Sequence, residues 1–270
     1  MNWFESLIYG LVSGLSAFLP ISTSAHQSVV LKLFGHDNPD PLLNLFVHLA
    51  LIASAYTAGR NLIDQLRRQS GFHARRGVHN SSLELRFLKN SVFPLVIAFL
   101  LLSYCIPIKA DLLMIAIFLL VNGILLFLQS RMMQGNKDER SLSFMDSILT
   151  GFAGALSVFT GISHIGAMLT VFTARGVDKH KSANWVILLS FPILILAACK
   201  DILQIISGAG SIYFPGNIIG YILAIIGAYA AGYVSVMLMK SLAAGKNYQG
   251  FAYYSWGTSL FSFILYLTIV

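Results

Sequence analysis

The chain has 270 residues, of which 56% are hydrophobic and 11% charged, and its mean hydropathy is +0.74. So little polar surface cannot cover a water-soluble domain of this size, so composition excludes a soluble enzyme or binding module and points to a polytopic membrane protein. The net charge of +7 reads as a record of topology rather than a nucleic-acid footprint, because Lys and Arg collect in the cytoplasmic loops of membrane chains.

The first apolar stretch contains Glu5, lacks a basic lead-in and continues into 10–26, GLVSGLSAFLPISTSAH, so no cleavable signal is expected. That segment is apolar up to Pro20 and then becomes a run of hydroxyls ending in His26. It recurs as 151–167, GFAGALSVFTGISHIGA, at a constant offset of 141. The offset matches Gly10 with Gly151, Leu15 with Leu156, Ser16 with Ser157, Phe18 with Phe159, Ile21 with Ile162 and Ser22 with Ser163. Past the motif it carries Gly35 onto Gly176. A single membrane domain over 1–270 is therefore expected to hold two repeats, about 1–130 and about 144–270, with motifs at 10–26 and 151–167. Each motif is broken by Pro20 or Gly161 and polar neighbours, then turns apolar again. Broken backbone at membrane depth survives only inside protein or beside a wet cavity, so each motif is expected to be a re-entrant helical hairpin.

The remaining apolar runs are 43–66, 91–107, 112–129, 184–206, 217–239 and 251–270. Each is close to the roughly 20 residues that cross a bilayer core of about 30 Å. The expected fold is an all-α polytopic membrane protein with two re-entrant hairpins and about six transmembrane helices. Three spans between the hairpins put them on opposite faces, as inverted repeats. Fifteen of the 18 Lys and Arg then share one side, leaving Lys32, Lys109 and Lys200 on the other. That asymmetry marks a cytoplasmic face and favours re-entrant hairpins over two kinked full spans. The basic loop 67–90 is read as an orientation signal near anionic headgroups. Cys105 and Cys199 are read as small core residues, and His36, His73, His79 and His180 as solvated. Gly216, Gly220, Gly227 and Gly232, with Ala224, Ala228 and Ala231, permit close helix packing.

Two opposed tips would bring Ser22, Thr23, Ser24 and His26 towards Gly161, Ser163, His164 and Gly166. Hydroxyls, a glycine-flanked turn and free N–H groups at helix N-termini make an anion site, with phosphate the usual occupant. A polar cluster inside a membrane reads as a functional site. His26, His48 and His164 add charge on demand. One could serve as base or nucleophile while others hold phosphate, or the three together could bind a transition metal.

These stretches carry a resemblance. GLVSGLSAFLPISTSAH with the following LNLFVHLALIASAYTAGR, TGISHIGAMLT with the later SFP at 190–192, and FAYYSWG at 251–257 are similar to the undecaprenyl-diphosphate phosphatase family, also called bacitracin-resistance protein BacA or UppP. The similarity covers nearly the whole chain. It implies inverted repeats with two re-entrant hairpins and six spans in the bacterial inner membrane. It also implies hydrolysis of a polyprenyl diphosphate carrier lipid during cell-wall precursor recycling. Family members read GxxEGxxEFLPxSSTGH, whose glutamates serve metal binding and acid–base chemistry; here those positions are Ser13 and Ala17. In the second motif, usually PGxSRSGxT, His164 stands at the arginine, Ile165 at the second serine and Met168 at the threonine. His48 stands at a common glutamine and Ser255 at an arginine of the last span. Pro20, Ser22, Thr23 in place of serine, His26 and Ser163 persist.

Residues and resemblance together thus lead us to expect His26, Ser22 and Thr23 as catalytic, and Ser22, Thr23, Ser24, His26, His48, Ser163, His164, Gly161 and Gly166 as substrate-binding. A Mg²⁺ or Ca²⁺ cofactor is implied by the family, but its carboxylate ligands are missing, because no Asp or Glu lies between Glu5 and Asp37 or between Asp146 and Asp178. A hard cation would be left with hydroxyls, carbonyls and water. The expected partners are a polyprenyl phosphate or diphosphate lipid and the membrane, not nucleic acid; a homodimer is left open. The rival class is an inactive homologue that binds or translocates an anionic lipid, as inverted-repeat transporters do with midplane anion sites.

Overall fold

The computed structural model describes residues 1–75, 83–105, 111–133, 135–208, 212, 214, 217–244 and 248–269, without side chains at 69–75 and 243–244. Arg76, His79, Pro107, Lys109, Gly216, Lys246 and Val270, and the side chains of His73 and Arg75, lie outside the described residues. The order is α1 Trp3–Ala17, α2 Thr23–Leu33, α3 Pro41–Arg75, α4 Leu83–Cys105, α5 Leu112–Arg131, α6 Phe144–Ala155, a 3-10 turn Leu156–Val158, α7 His164–Ala174, α8 Lys179–Ile206, α9 Ile218–Ala244 and α10 Gln249–Ile269.

Five of these helices are long and apolar enough to cross a membrane: α3 over Pro41–Arg68, α4, α5, α8 and α9 over Ile218–Leu242. The chain is an all-α, multi-pass membrane protein. The sixth expected span corresponds to α10, which is 21 residues long but is not among these five; its N-terminal half is rich in hydroxyls. Two of them turn inward onto α5, where Ser259 Oγ donates to the Ala116 carbonyl at 2.6 Å and Asn122 Nδ2 donates to Ser255 Oγ at 3.1 Å. Leu260, Phe261, Ile264 and Leu267 remain exposed on the other side.

The motif helices are shorter. α2 and α7 have 11 residues each, a rise of roughly 17 Å at 1.5 Å per residue, about half a bilayer core. α1 folds back on α2, and α6 on α7. Packing is alike in the two halves: α1 lies on α9 as α6 lies on α4, while α3 meets α8 and α5 meets α10. Gly10 and Gly151 show why both halves keep glycine. A Cβ on Gly10 would fall 2.3 Å from the Ala224 carbonyl oxygen of α9, and one on Gly151 would fall 2.4 Å from the Ser91 carbonyl oxygen of α4. Ala224 and Ala228 are fully buried in this contact.

The hairpin ends correspond bond by bond at the offset of 141. α1 starts with a capping box of Asn2 and Glu5, and α6 with one of Ser143 and Asp146; such boxes satisfy helix donors that lack intrahelical partners. α2 ends with Gly35 N–H donating to the Lys32 carbonyl and His36 N–H to that of Leu31. α7 ends with Gly176 N–H donating to Thr173 and Val177 N–H to Phe172. Gly35 and Gly176 have φ of 76° and 72°, the left-handed turn that glycine supplies at a helix C-terminus. The acid of each box also holds a base at the far end of its hairpin, Glu5 with His36 at 2.9 Å and Asp146 with Arg175. His36 is thus a hydrogen-bond partner of Glu5, not a merely solvated residue.

Cys105 and Cys199 are exposed, contrary to their reading as core residues. Apolar character in a spanning helix suits a lipid-facing position as well as a buried one.

Candidate functional site

The two breaks are built differently. In the first, residues 18–22 reverse the chain and Ser22 takes φ 67°, ψ 100°. It is the one non-glycine residue with positive φ among the described residues, a conformation costly for an L-residue and usually kept where surroundings enforce it. In the second, the reversal falls on Gly161 at φ 128°, and Ser163 is an ordinary extended N-cap whose Oγ accepts from Gly166 N–H.

The tips bind each other. Gly161 N–H donates to Ser22 Oγ at 3.1 Å, and Ser163 Oγ donates to the Leu19 carbonyl at 3.4 Å. Between them sits Asn122 of α5, fully buried. Its Oδ1 accepts from Ser163 N–H at 3.0 Å, and its Nδ2 donates to the Pro20 carbonyl at 3.0 Å. One amide side chain therefore ties both tips, a role the sequence reading missed. The available signal was an Asn in an otherwise apolar run, which needs a partner once buried.

Ser22 spends its hydroxyl on the other tip, so α2 has no side-chain N-cap. Its first N–H groups have no intrahelical acceptor and carry the positive end of the helix dipole. Thr23 and Ser24 of this turn line a cavity of about 330 Å³. Around it stand Ser22, Gln27 and Ser28 of the same hairpin, Asn44 and His48 of α3, Ser103 of α4, Thr160 and His164 of the second hairpin, and Lys200, Asp201 and Gln204 of α8.

Of the expected site residues, Ser22, Thr23, Ser24, His48 and His164 line this cavity, whereas His26, Gly161, Ser163 and Gly166 do not. His26 turns to α10. Its Nδ1–H donates to the Ser22 carbonyl at 2.8 Å, its Nε2 accepts from Tyr254 O–H at 2.8 Å, and the two rings stack at 5.5 Å. Both ring nitrogens are occupied. Gly161, Ser163 and Gly166 give their N–H groups to protein acceptors. His164 donates from Nε2 to Ser190 Oγ at 3.1 Å, since that hydroxyl's own proton goes to the Val186 carbonyl.

The positions of the family glutamates are filled by packing. Ser13 donates to the Tyr9 carbonyl at 2.6 Å and accepts from Gln27 Nε2 at 2.9 Å; Ala17 is buried. The cavity does hold one carboxylate, from outside both motifs: Asp201, 3% exposed. Its Oδ2 accepts from His48 Nδ1 at 2.6 Å and its Oδ1 from Asn44 Nδ2 at 2.8 Å, while Asn44 Oδ1 accepts from Tyr9 O–H at 2.8 Å. Lys200, exposed beside Asp201, has no acidic partner among the described residues.

Residues 6–261 match the family described as bacitracin resistance protein BacA. The chain belongs to this family. Among its relatives is the undecaprenyl-diphosphatase of Treponema denticola, 29% identical over 94% of each chain. That of Thermosipho melanesiensis is 29% identical over 96% of this chain and 98% of its own. Undecaprenyl-diphosphatase 3 of Bacillus cereus is 26% identical across the whole of both chains.

A divalent cation of the kind the family resemblance implies does not fit these residues. Among the described residues no three His, Cys, Asp or Glu side chains come together to hold an ion. The one carboxylate of the cavity is already bonded on both oxygens.

Proposed function

We propose that this BacA-family chain removes the terminal phosphate of a polyprenyl diphosphate, the reaction its relatives' name describes, from the outer face of the bacterial inner membrane. The observation that carries the reading is the uncapped start of α2 opening into a cavity shared with two imidazoles and Lys200. The N–H groups and hydroxyls of Thr23 and Ser24 suit phosphoryl oxygens, and helix dipole and Lys200 offset their charge. Phosphoryl transfer depends chiefly on positioning and on stabilising charge, and this wall supplies both.

The side of entry follows from charge. The cavity reaches Lys200 and Gln204 near the C-terminal end of α8, and Asn38 in the loop before α3. This is the end poor in Lys and Arg, hence the extracytoplasmic one by the positive-inside rule. A lipid diphosphate released there can enter without crossing the bilayer.

The test is phosphate release from undecaprenyl diphosphate by the purified chain in detergent, with Mg²⁺, with Ca²⁺ and with EDTA, beside a Ser13→Glu, Ala17→Glu, His164→Arg variant. We expect the unaltered chain to release phosphate, with EDTA leaving most of the rate. No release while the lipid still binds would overturn hydrolysis and leave a binder or translocator of the carrier lipid.

A further inference from the structure

The bonds around Asp201 settle more than a fold contact. Asn44 Oδ1 accepts from Tyr9 O–H, so its amide nitrogen faces Asp201. Asp201 Oδ2 faces His48 Nδ1 at 2.6 Å, and a carboxylate can only accept, so the proton of the neutral ring sits on Nδ1. Nε2 is then left with a lone pair. It has no partner among the described residues, on a side chain that lines the cavity and is 12% exposed. A histidine fixed by a carboxylate at one nitrogen and open at the other is the arrangement of a general base.

We propose that His48 is the catalytic base of this cavity and Asp201 the residue that positions it. The proposal rests on the hydrolysis reading above. A water oxygen bonds to the terminal phosphorus while its proton passes to His48 Nε2. The bond from that phosphorus to the bridging oxygen breaks, and its electron pair stays on the bridging oxygen, which departs as part of the polyprenyl monophosphate. Asp201 stabilises the imidazolium until it returns the proton to solvent. Neither break supplies a carboxylate, so the one that acts comes from α8, 153 residues along the chain from its histidine. The other titratable groups lining the cavity are Lys200 beside Asp201, Tyr9 on α1 and His164 at the start of α7.

The same bonds would serve a merely structural tie between α1, α3 and α8, and kinetics separate the two. Phosphate release from undecaprenyl diphosphate is followed against pH for the unaltered chain, H48Q and D201N, together with lipid binding and melting temperature in detergent. For the unaltered chain kcat/KM should climb as pH rises, because the base must be free of its proton to act. H48Q should lower kcat by about 10²–10⁴-fold, the usual contribution of a general base, and abolish the climb, with binding within a few-fold. D201N should lower kcat while leaving binding and melting nearly unchanged. H48Q with the original rate and pH profile would overturn the proposal while leaving hydrolysis intact. So would a loss of rate matched by equal losses of binding or melting temperature in both variants. No release by the unaltered chain would remove hydrolysis itself and the base with it.

Discussion

The two hairpins share their helix caps and glycine turns at one constant offset, and an acid–base contact closes each, yet their tips diverge. The second tip places its sharp turn on Gly161 and lets Ser163 cap its own helix. The first places a positive φ on Ser22 and gives that serine's hydroxyl to Gly161. As a result α7 is closed by its own serine, and α2 is left open towards the cavity. Two similarly built hairpins thus differ at their tips, one bonded to its neighbour and one with free helix donors.

The largest expected effect comes from cutting the link between the tips. Asn122→Leu leaves the Pro20 carbonyl and the Ser163 N–H without partners, and each buried group left unpaired costs roughly 1–3 kcal/mol. Melting in detergent should drop accordingly, and an unchanged midpoint would show that the tips do not depend on α5.

Next come the turns themselves. Gly161→Ala puts a side chain at φ 128° with its Cβ 2.5 Å from Phe118 Cβ, at a cost of roughly 1–3 kcal/mol from backbone strain alone. The first tip should respond in the opposite sense to loss of a Cβ. Ser22→Gly and Ser22→Ala both lose the bond from Gly161, but glycine relieves the strain, so Ser22→Gly should be the more stable by about 1 kcal/mol. The reverse order in chemical denaturation would contradict the contrast drawn between the tips.

A smaller effect concerns the strap over the second hairpin. Lys137 N–H donates to the Gly176 carbonyl, and Glu139 of the same loop binds Lys181. The bond to Lys181 holds the Glu139 carboxyl below its ordinary range. A lowered folded value means that this contribution is complete above the usual glutamate range and fades as pH falls through the lowered one. Glu139→Gln should therefore flatten the acid side of the stability profile by about 0.5 kcal/mol or less, the scale of a half-exposed pair. An identical acid limb in the variant would assign that pH dependence elsewhere.

Much of this arrangement was legible in the chain. Five long runs and the two breaks follow from hydropathy, and the offset of 141 anticipated the paired glycine turns because positive φ restricts residue choice at those positions. What could not be read were contacts between distant helices. Asp201 looks like the polar end of a span, and only the approach of α3 and α8 makes it the partner of His48. His26 belongs to the motif by position, but α10 draws its ring away from the cavity. Cys105 and Cys199 show the other limit, since core and lipid ask for the same apolar residues.

We propose that the first tip presents donors to the substrate while the second tip holds the first. The direct measurement is phosphate release from undecaprenyl diphosphate by Thr23→Ala and Ser163→Ala, each beside its melting temperature. Thr23→Ala should lose tenfold or more in kcat/KM at nearly unchanged stability, while Ser163→Ala should melt earlier and keep most of its rate once folded. A folded Ser163→Ala without activity, beside a fully active Thr23→Ala, would contradict it.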